Sequence, residues 1–293
     1  MHRISNNNIA VEVDDLGAEI TSMVCHGRQL IWHADPDFWR RHAPILFPIV
    51  GKVCDNTYRV GNDTYHLPQH GFARDSRFRV VDASDSSITL ILESDAESLK
   101  VYPYNFQLQV CYSLVEGGVS CEWTVRNTGN GLMYYQIGAH PAFVYPDYSP
   151  EEALHGYLQL WHEGVAVDSL EVTRLSARGH ALPDTYRLPL TAGHLPITQT
   201  LFANDALVLE GAQTDAAVLY DKGGKAFVRM TFDAPVLGIW SPVNAPFCCI
   251  EPWYGRTDSD GFEGTIDQRP YIQTLAPKES KVFGYQIEAM CDD

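Results

Sequence analysis

The sequence predicts an all-β protein built from many antiparallel strands. The firmest observation is the run from Phe106 to Leu114, in which Phe106, Leu108, Val110, Tyr112 and Leu114 alternate with Gln107, Gln109, Cys111 and Ser113. After Glu116-Gly117-Gly118 the alternation resumes, with Val119, Cys121, Trp123 and Val125 on one face and Ser120, Glu122, Thr124 and Arg126 on the other. That is a hairpin with one buried face. The same period returns at Arg77 to Ala83, Ser87 to Ser94, Ala216 to Asp233 around a tip at Asp221 to Gly224, and Lys281 to Ala289. Against it stand one short helical stretch, Asp95 to Lys100, and no sustained 3.6-residue pattern.

Taken from the start, Ile9 to Arg28 forms two short strands around the turn Asp14 to Gly17, and Gln29 to His33 continues as a third. Asp35 to Trp39 is a turn or a single helical turn. Ala43 to Gly51 is apolar but carries Pro44 and Pro48, so it is no regular helix and reads as a buried crossover, at best a strand crossing an edge. Thr57 to Val60 and Thr64 to Leu67 flank Gly61-Asn62-Asp63 as a hairpin, which Pro68 to Arg74 leaves irregularly. The loop from Pro146 to Leu154 is short and lies between strand-like segments, so no linker divides the chain and residues 1–293 are expected to form a single large sandwich domain.

A formal net charge of −16 and a pI near 5.0 argue against nucleic acid and anionic membrane surfaces, and disfavour a highly anionic substrate. The seven cysteines are odd in number, form no C-x-x-C and include the adjacent pair Cys248 and Cys249, so neither a disulfide framework nor a zinc site is indicated. The N-terminus has no apolar core of a signal peptide, and no apolar run reaches the roughly 18 residues of a membrane span. A soluble protein of the reducing cytoplasm is expected.

His140 is the first candidate for chemistry. Pro141 drives it out of helical φ/ψ, while Gly138 and Ala139 leave room beside the ring. An imidazole, with its ordinary pKa of about 6.5, is a candidate acid or base; the alternative is a half-buried histidine bonded to a backbone carbonyl. Glu251 mirrors it, since the apolar strand Phe247 to Ile250 ends on a carboxylate held before Pro252; the alternative is an ordinary ion pair with Arg256. Asp205 precedes the strand that reaches Leu209, where it either caps a turn or faces a ligand. His66 and His70 lie about 13 Å apart in an extended chain, too far for one metal, and no third ligand is suitably spaced. At least one of Cys248 and Cys249 must be core, which weighs against a thiol nucleophile.

In order and spacing, Gly51-Lys52, Gln69 to Arg74, Gly138 to Phe143, Asn204 to Leu207 and Cys249 to Trp253 resemble the aldose 1-epimerase (galactose mutarotase) family over nearly the whole chain. The likeness is greatest to its shorter, less characterised branch. The resemblance implies a large antiparallel β-supersandwich of the galactose-mutarotase type, no metal or organic cofactor, and interconversion of the α and β anomers of a free hexose. It also implies His140 as general acid, Glu251 as general base, His70 as a second, substrate-contacting histidine and Asp205 as a carboxylate binding sugar hydroxyls. Lys52 stands where the family more often has an arginine, keeping the charge without the bidentate fork. The segment from Pro252 to Arg256 differs from galactose mutarotase itself.

The expected chemistry places carboxylate and imidazolium on opposite sides of the sugar, one deprotonating the anomeric hydroxyl and the other protonating the ring oxygen. Two alternatives accompany it. One is a hexose-6-phosphate 1-epimerase whose phosphate falls to Lys52, Arg74 or Arg77; the other is a non-catalytic carbohydrate-binding or sensing protein on the same fold. Of the basic cluster only Arg74 is expected at the site, because Arg77 and Arg79 share a strand face with Val81. A glycosidase is disfavoured, the best partners being one His and one Glu rather than two carboxylates.

Overall fold

The hairpin of strictly alternating residues becomes part of the larger of the two main sheets. In the computed structural model, which describes residues 1–290, strands Phe106–Val115 and Gly118–Asn127 pair from Phe106 opposite Asn127 to Val115 opposite Gly118. Cys291 lies outside the described residues. Leu108, Val110, Tyr112, Trp123 and Val125 are fully buried, as the alternation requires. This ten-stranded sheet continues through Ser87–Glu93 to Arg79–Ala83 on one side. On the other it runs through Ser280–Ala289, Ala226–Phe232 and Ala216–Tyr220 to Leu154–His162, which also pairs with Val165–Ala166 and His194–Thr198.

An eight-stranded sheet lies against it, in the order Ala181–Pro189, Ser169–Leu175, Leu207–Glu210, Val236–Trp240, Phe247–Tyr254, Ile137–Ala139 and Ile45–Leu46, with Ala142–Val144 also pairing Phe247–Tyr254. All the named pairings in both sheets are antiparallel. The two inner faces share one apolar core. Tyr254 of the smaller sheet meets Phe283 of the larger at a ring separation of 4.5 Å, and Phe47 meets Phe106 at 5.0 Å. The expected all-β sandwich is therefore present.

The Ala43 to Gly51 segment is a buried crossover with only the two-residue strand Ile45–Leu46, as its prolines demand. The expected short helix is a single turn, Ser98–Val101. Three elements differ from the sequence expectation. His2–Ser5 is a strand paired with Ile9–Val13; only Ile4 of it is buried, so an edge strand this polar leaves no apolar pattern. The third N-terminal strand is Arg28–Gln29 alone, Leu30 to Trp32 running on as buried extended chain. Finally, the strand entered at Phe247 does not end at Glu251 but runs through Pro252 to Tyr254.

Proline is tolerated there because of what its neighbour does. Ile250 donates its N–H to Pro141, on the side of Ala142–Val144 and Ile137–Ala139. Position 252, two residues on, points its nitrogen the same way and falls opposite Ala139, the last residue of Ile137–Ala139, whose carbonyl accepts the Trp253 indole N–H at 3.2 Å instead.

Candidate active site

Across the gap between Ile137–Ala139 and Ala142–Val144 the register is unchanged. Gly138 lies opposite Trp253 and Ala142 opposite Cys249, which places His140 directly opposite Glu251. The two residues are thus cross-strand neighbours, each fixed before a proline. His140 Nε2 lies 3.1 Å from Glu251 Oε2, with side chains 10 % and 1 % exposed. The contact is close but is not aligned as a hydrogen bond, and neither carboxyl oxygen has a hydrogen-bond partner among the described residues. Such a buried carboxyl is one a ligand's hydroxyl groups can satisfy.

Aromatic side chains hold the imidazole. Trp39 stacks on it with centroids 4.8 Å apart at 29°, while Trp240 and His70 present edges at 5.7 Å. Burial pushes the His140 pKa down, to about 3. Burial pushes Glu251 well above the carboxylate range, and the charge of Asp205 adds to the rise. Both shifts favour the neutral form of each partner.

His70 is pinned by its backbone N–H to the Gly51 carbonyl at 2.8 Å, and its Nδ1 accepts the Gly51 N–H at 3.1 Å. Burial, followed by the charges of His140, Arg74, Arg41 and Lys52, keeps its pKa well below the usual histidine range. With Nδ1 accepting, the proton of the neutral ring sits on Nε2, so the Gln69 side-chain amide 3.1 Å away turns its oxygen, not its nitrogen, towards the ring. The next residue must be glycine: Gly71 has φ +70°, and a Cβ there would lie 2.3 Å from the Phe47 carbonyl oxygen.

A cavity of about 440 Å³ opens onto these groups, within the usual range for small-molecule sites. His140, Glu251, His70, Asp205, Lys52 and Arg74 all line it. Asp205 has φ +83° and accepts the Ala206 N–H at 2.8 Å, so it makes the turn contact and faces the cavity as well. Lys52 Nζ donates to the Arg178 carbonyl at 2.9 Å and Arg74 Nη2 to the Gln69 carbonyl at 2.6 Å. Burial lowers the Arg74 pKa to about 10, still a cation at neutral pH.

One expectation is corrected, and three alternatives raised by the sequence are not supported. The groups expected as acid and base sit side by side, not on opposite sides of a ligand, because the sheet makes them neighbours. Arg256 pairs with Glu210 at 2.9 Å instead of Glu251. Arg77 bridges to Leu16 and is absent from the cavity lining, leaving it no part in a phosphate site there. Cys249 is held as an uncharged thiol by its burial and by the charge of Glu251, which removes the thiolate a nucleophile needs.

The sequence reading missed Arg41, Trp39 and Trp240 as lining residues. Arg41 reaches Asp75 at 3.0 Å beside Arg74; the only local signal was aromatic and basic residues crowded after the Asp35 turn. It also missed the brace under the cavity floor. Arg269, buried, binds Asp258 at 2.6 Å and Gln136 Oε1 at 2.8 Å, and Gln136 in turn accepts the Val50 N–H. Its members come from distant parts of the chain.

An antiparallel two-sheet sandwich with paired histidines, a buried glutamate and an aromatic wall around a small cavity defines a protein of the galactose-mutarotase fold class. Residues 1–281 match the aldose 1-epimerase family model, and the chain belongs to that family. The chain is similar to a galactose mutarotase related enzyme from Lactobacillus acidophilus, 32 % identical at a TM-score of 0.91 over 99 % of this chain and 97 % of the other. A galactose mutarotase-like protein from Lactobacillus casei is 30 % identical at 0.90, covering 99 % of each chain. The plasmid-encoded protein LacX of Lactococcus lactis is 29 % identical over 97 % of both chains.

Proposed function

We infer that the protein is an isomerase interconverting the α and β anomers of a free hexose, with Glu251 and His140 as the acid/base pair. The observation that supports this best is the 3.1 Å juxtaposition of the two groups at one cavity. The anomeric hydroxyl and the ring oxygen are both attached to C1, so one proton must leave and another arrive at neighbouring oxygens. Acid and base side by side suit that need better than the opposed arrangement.

In ring opening the Glu251 carboxylate takes the anomeric proton, the C1 carbonyl forms, the bond from C1 to the ring oxygen breaks, and the ring oxygen takes a proton from His140 Nε2. The pair has one proton before and after. Rotation about the C1–C2 bond and the reverse transfers close the other anomer. Burial favours the neutral arrangement of that proton; sugar hydroxyls donating to the Glu251 oxygens stabilise the carboxylate and shift the pair to the charged arrangement in which His140 is the acid. His70 offers its Nε2 proton to a sugar oxygen, Asp205 accepts from hydroxyls, and Lys52 and Arg74 supply donors at the rim.

One observation favours a hexose-6-phosphate as second substrate class: Arg41 joins Lys52 and Arg74 in the lining. Arg41 is, however, already paired with Asp75, and Arg74 with a backbone carbonyl. The neutral hexose therefore stands first. A purely binding protein has no need of an acid beside a base. Polarimetry of fresh α-D-glucose, α-D-galactose and the hexose 6-phosphates, with and without the protein, tests all three; no acceleration of any sugar would leave only the binding reading.

Residues 1–293 are read as one domain, a view supported by a main apolar cluster whose members run from Ile4 to Ile287. A reducing, cytoplasmic location is supported by Cys54, Cys111, Cys121, Cys248 and Cys249, which are free thiols. No described helix is long and apolar enough to cross a membrane.

A further inference from the structure

Cys249 lies two residues before Glu251 on one strand and so projects from the same face. It is flanked in the sheet by Ala142 and Trp240. Its sulfur, one imidazole nitrogen of His140 and one carboxyl oxygen of Glu251 all lie within 4.8 Å of one another. The three residues are buried, and both carboxyl oxygens together with His140 Nδ1 lack a hydrogen-bond partner among the described residues.

We propose that His140, Cys249 and Glu251 form a binding site for a thiophilic divalent cation of the zinc type, with a fourth position open to the cavity. Zinc bonded at about 2.0–2.3 Å sets its tetrahedral ligand atoms roughly 3.3–3.8 Å apart. The observed group is wider by at most about 1.0–1.5 Å, a distance that side-chain rotation covers. A thiolate with an imidazole and a carboxylate selects zinc, cobalt or cadmium over magnesium and calcium, which prefer an all-oxygen shell. On binding, the thiol and carboxyl protons pass to solvent, and the dication with thiolate, carboxylate and neutral imidazole carries no net charge. That balance suits a site walled by Trp39, Trp240 and Phe247.

The cation would be an inhibitor and not a cofactor, since it occupies the lone pairs that acid/base chemistry needs; this consequence alone rests on the mutarotase reading. Binding itself is tested without turnover. Cobalt(II) titrated into the full chain should bind one to one with a near-ultraviolet sulfur-to-cobalt charge-transfer band. C249S should lose the band and bind at least about tenfold more weakly, as H140Q should bind, losses of that size being common even for the groups that merely support metal ligands. C54S, at the half-buried thiol, should leave both unchanged. A wild-type protein without the band, or a band that survives C249S, would overturn the site. If C249S does not fold, undiminished cobalt affinity in folded H140Q overturns it equally. Cobalt binding by a protein that turns over no sugar would sink the mutarotase reading and leave this one standing.

Discussion

Glu251→Gln tests the chemistry with the least disturbance of the packing. The side chain is 1 % exposed, its oxygens have no donors among the described residues, and the amide has nearly the same shape. What the substitution removes is the ability to take the anomeric proton. Lost acid/base groups cost about a hundredfold or more in rate, which is about 2.7 kcal/mol of transition-state stabilisation. The rate should therefore fall at least a hundredfold by polarimetry, with substrate affinity changed far less.

Stability should move the other way. The folded state holds the Glu251 proton more tightly than the unfolded chain, so this carboxyl's contribution is fully present below the ordinary carboxyl pKa. It declines as pH rises towards the raised value, by at most about 1.4 kcal/mol per pH unit. An amide at this position has no proton to lose and escapes that decline. The variant should thus be at least as stable as the native protein at pH 7 in urea unfolding, and the difference should shrink towards pH 4. Near-native turnover in a folded variant would refute the role of Glu251, and a variant much less stable at pH 7 would refute its description as a buried neutral acid.

His140→Asn should lower the rate by about a hundredfold without unfolding, and near-native turnover would remove it from the mechanism. Because burial depresses the His140 pKa, the kcat/KM of the native protein should hold well below pH 6.5 before the pair gains a second proton; an acid limb at an ordinary histidine pKa would contradict that. His70→Asn should raise KM more than it lowers kcat, and an unchanged KM would take His70 out of the site. Neutral hexoses should be turned over with kcat/KM at least equal to that of their 6-phosphates and with little response to salt. A preference for the phosphate that collapses at high salt or in Arg74→Ala would favour the second substrate class. Arg269→Met should cost roughly 3–5 kcal/mol in urea unfolding, because it strands the buried Asp258; a loss below about 1 kcal/mol would show the brace to be dispensable.

The sheets were legible wherever one face is buried, because alternation is a local property: the 106–127 hairpin is found almost residue for residue. His2–Ser5 was not, for an edge strand with one buried side chain has no apolar period to detect. All six expected site residues meet at one cavity, and the X-Pro dipeptides at His140 and Glu251 were visible as unusual backbone. Their contact was not. It depends on which strands pair and in what register, and nothing near residue 140 encodes its distance from residue 251. The same reason hides Arg41, which enters the site by way of Asp75 on another loop, and the Arg269 brace.

The interrupted ladder between Ile137–Ala139, Ala142–Val144 and Phe247–Tyr254 has a consequence for how such a protein can change. The span between His140 and Glu251 is set by backbone pairing on both sides of the gap, whereas Lys52 and Asp205 reach the cavity from loops that no ladder fixes. Rim loops can be lengthened, recharged or exchanged to suit a different sugar while the reacting pair keeps its calibre. A single residue inserted between Gly138 and Ala142 would instead throw one histidine out of step with its glutamate and leave every loop as it was.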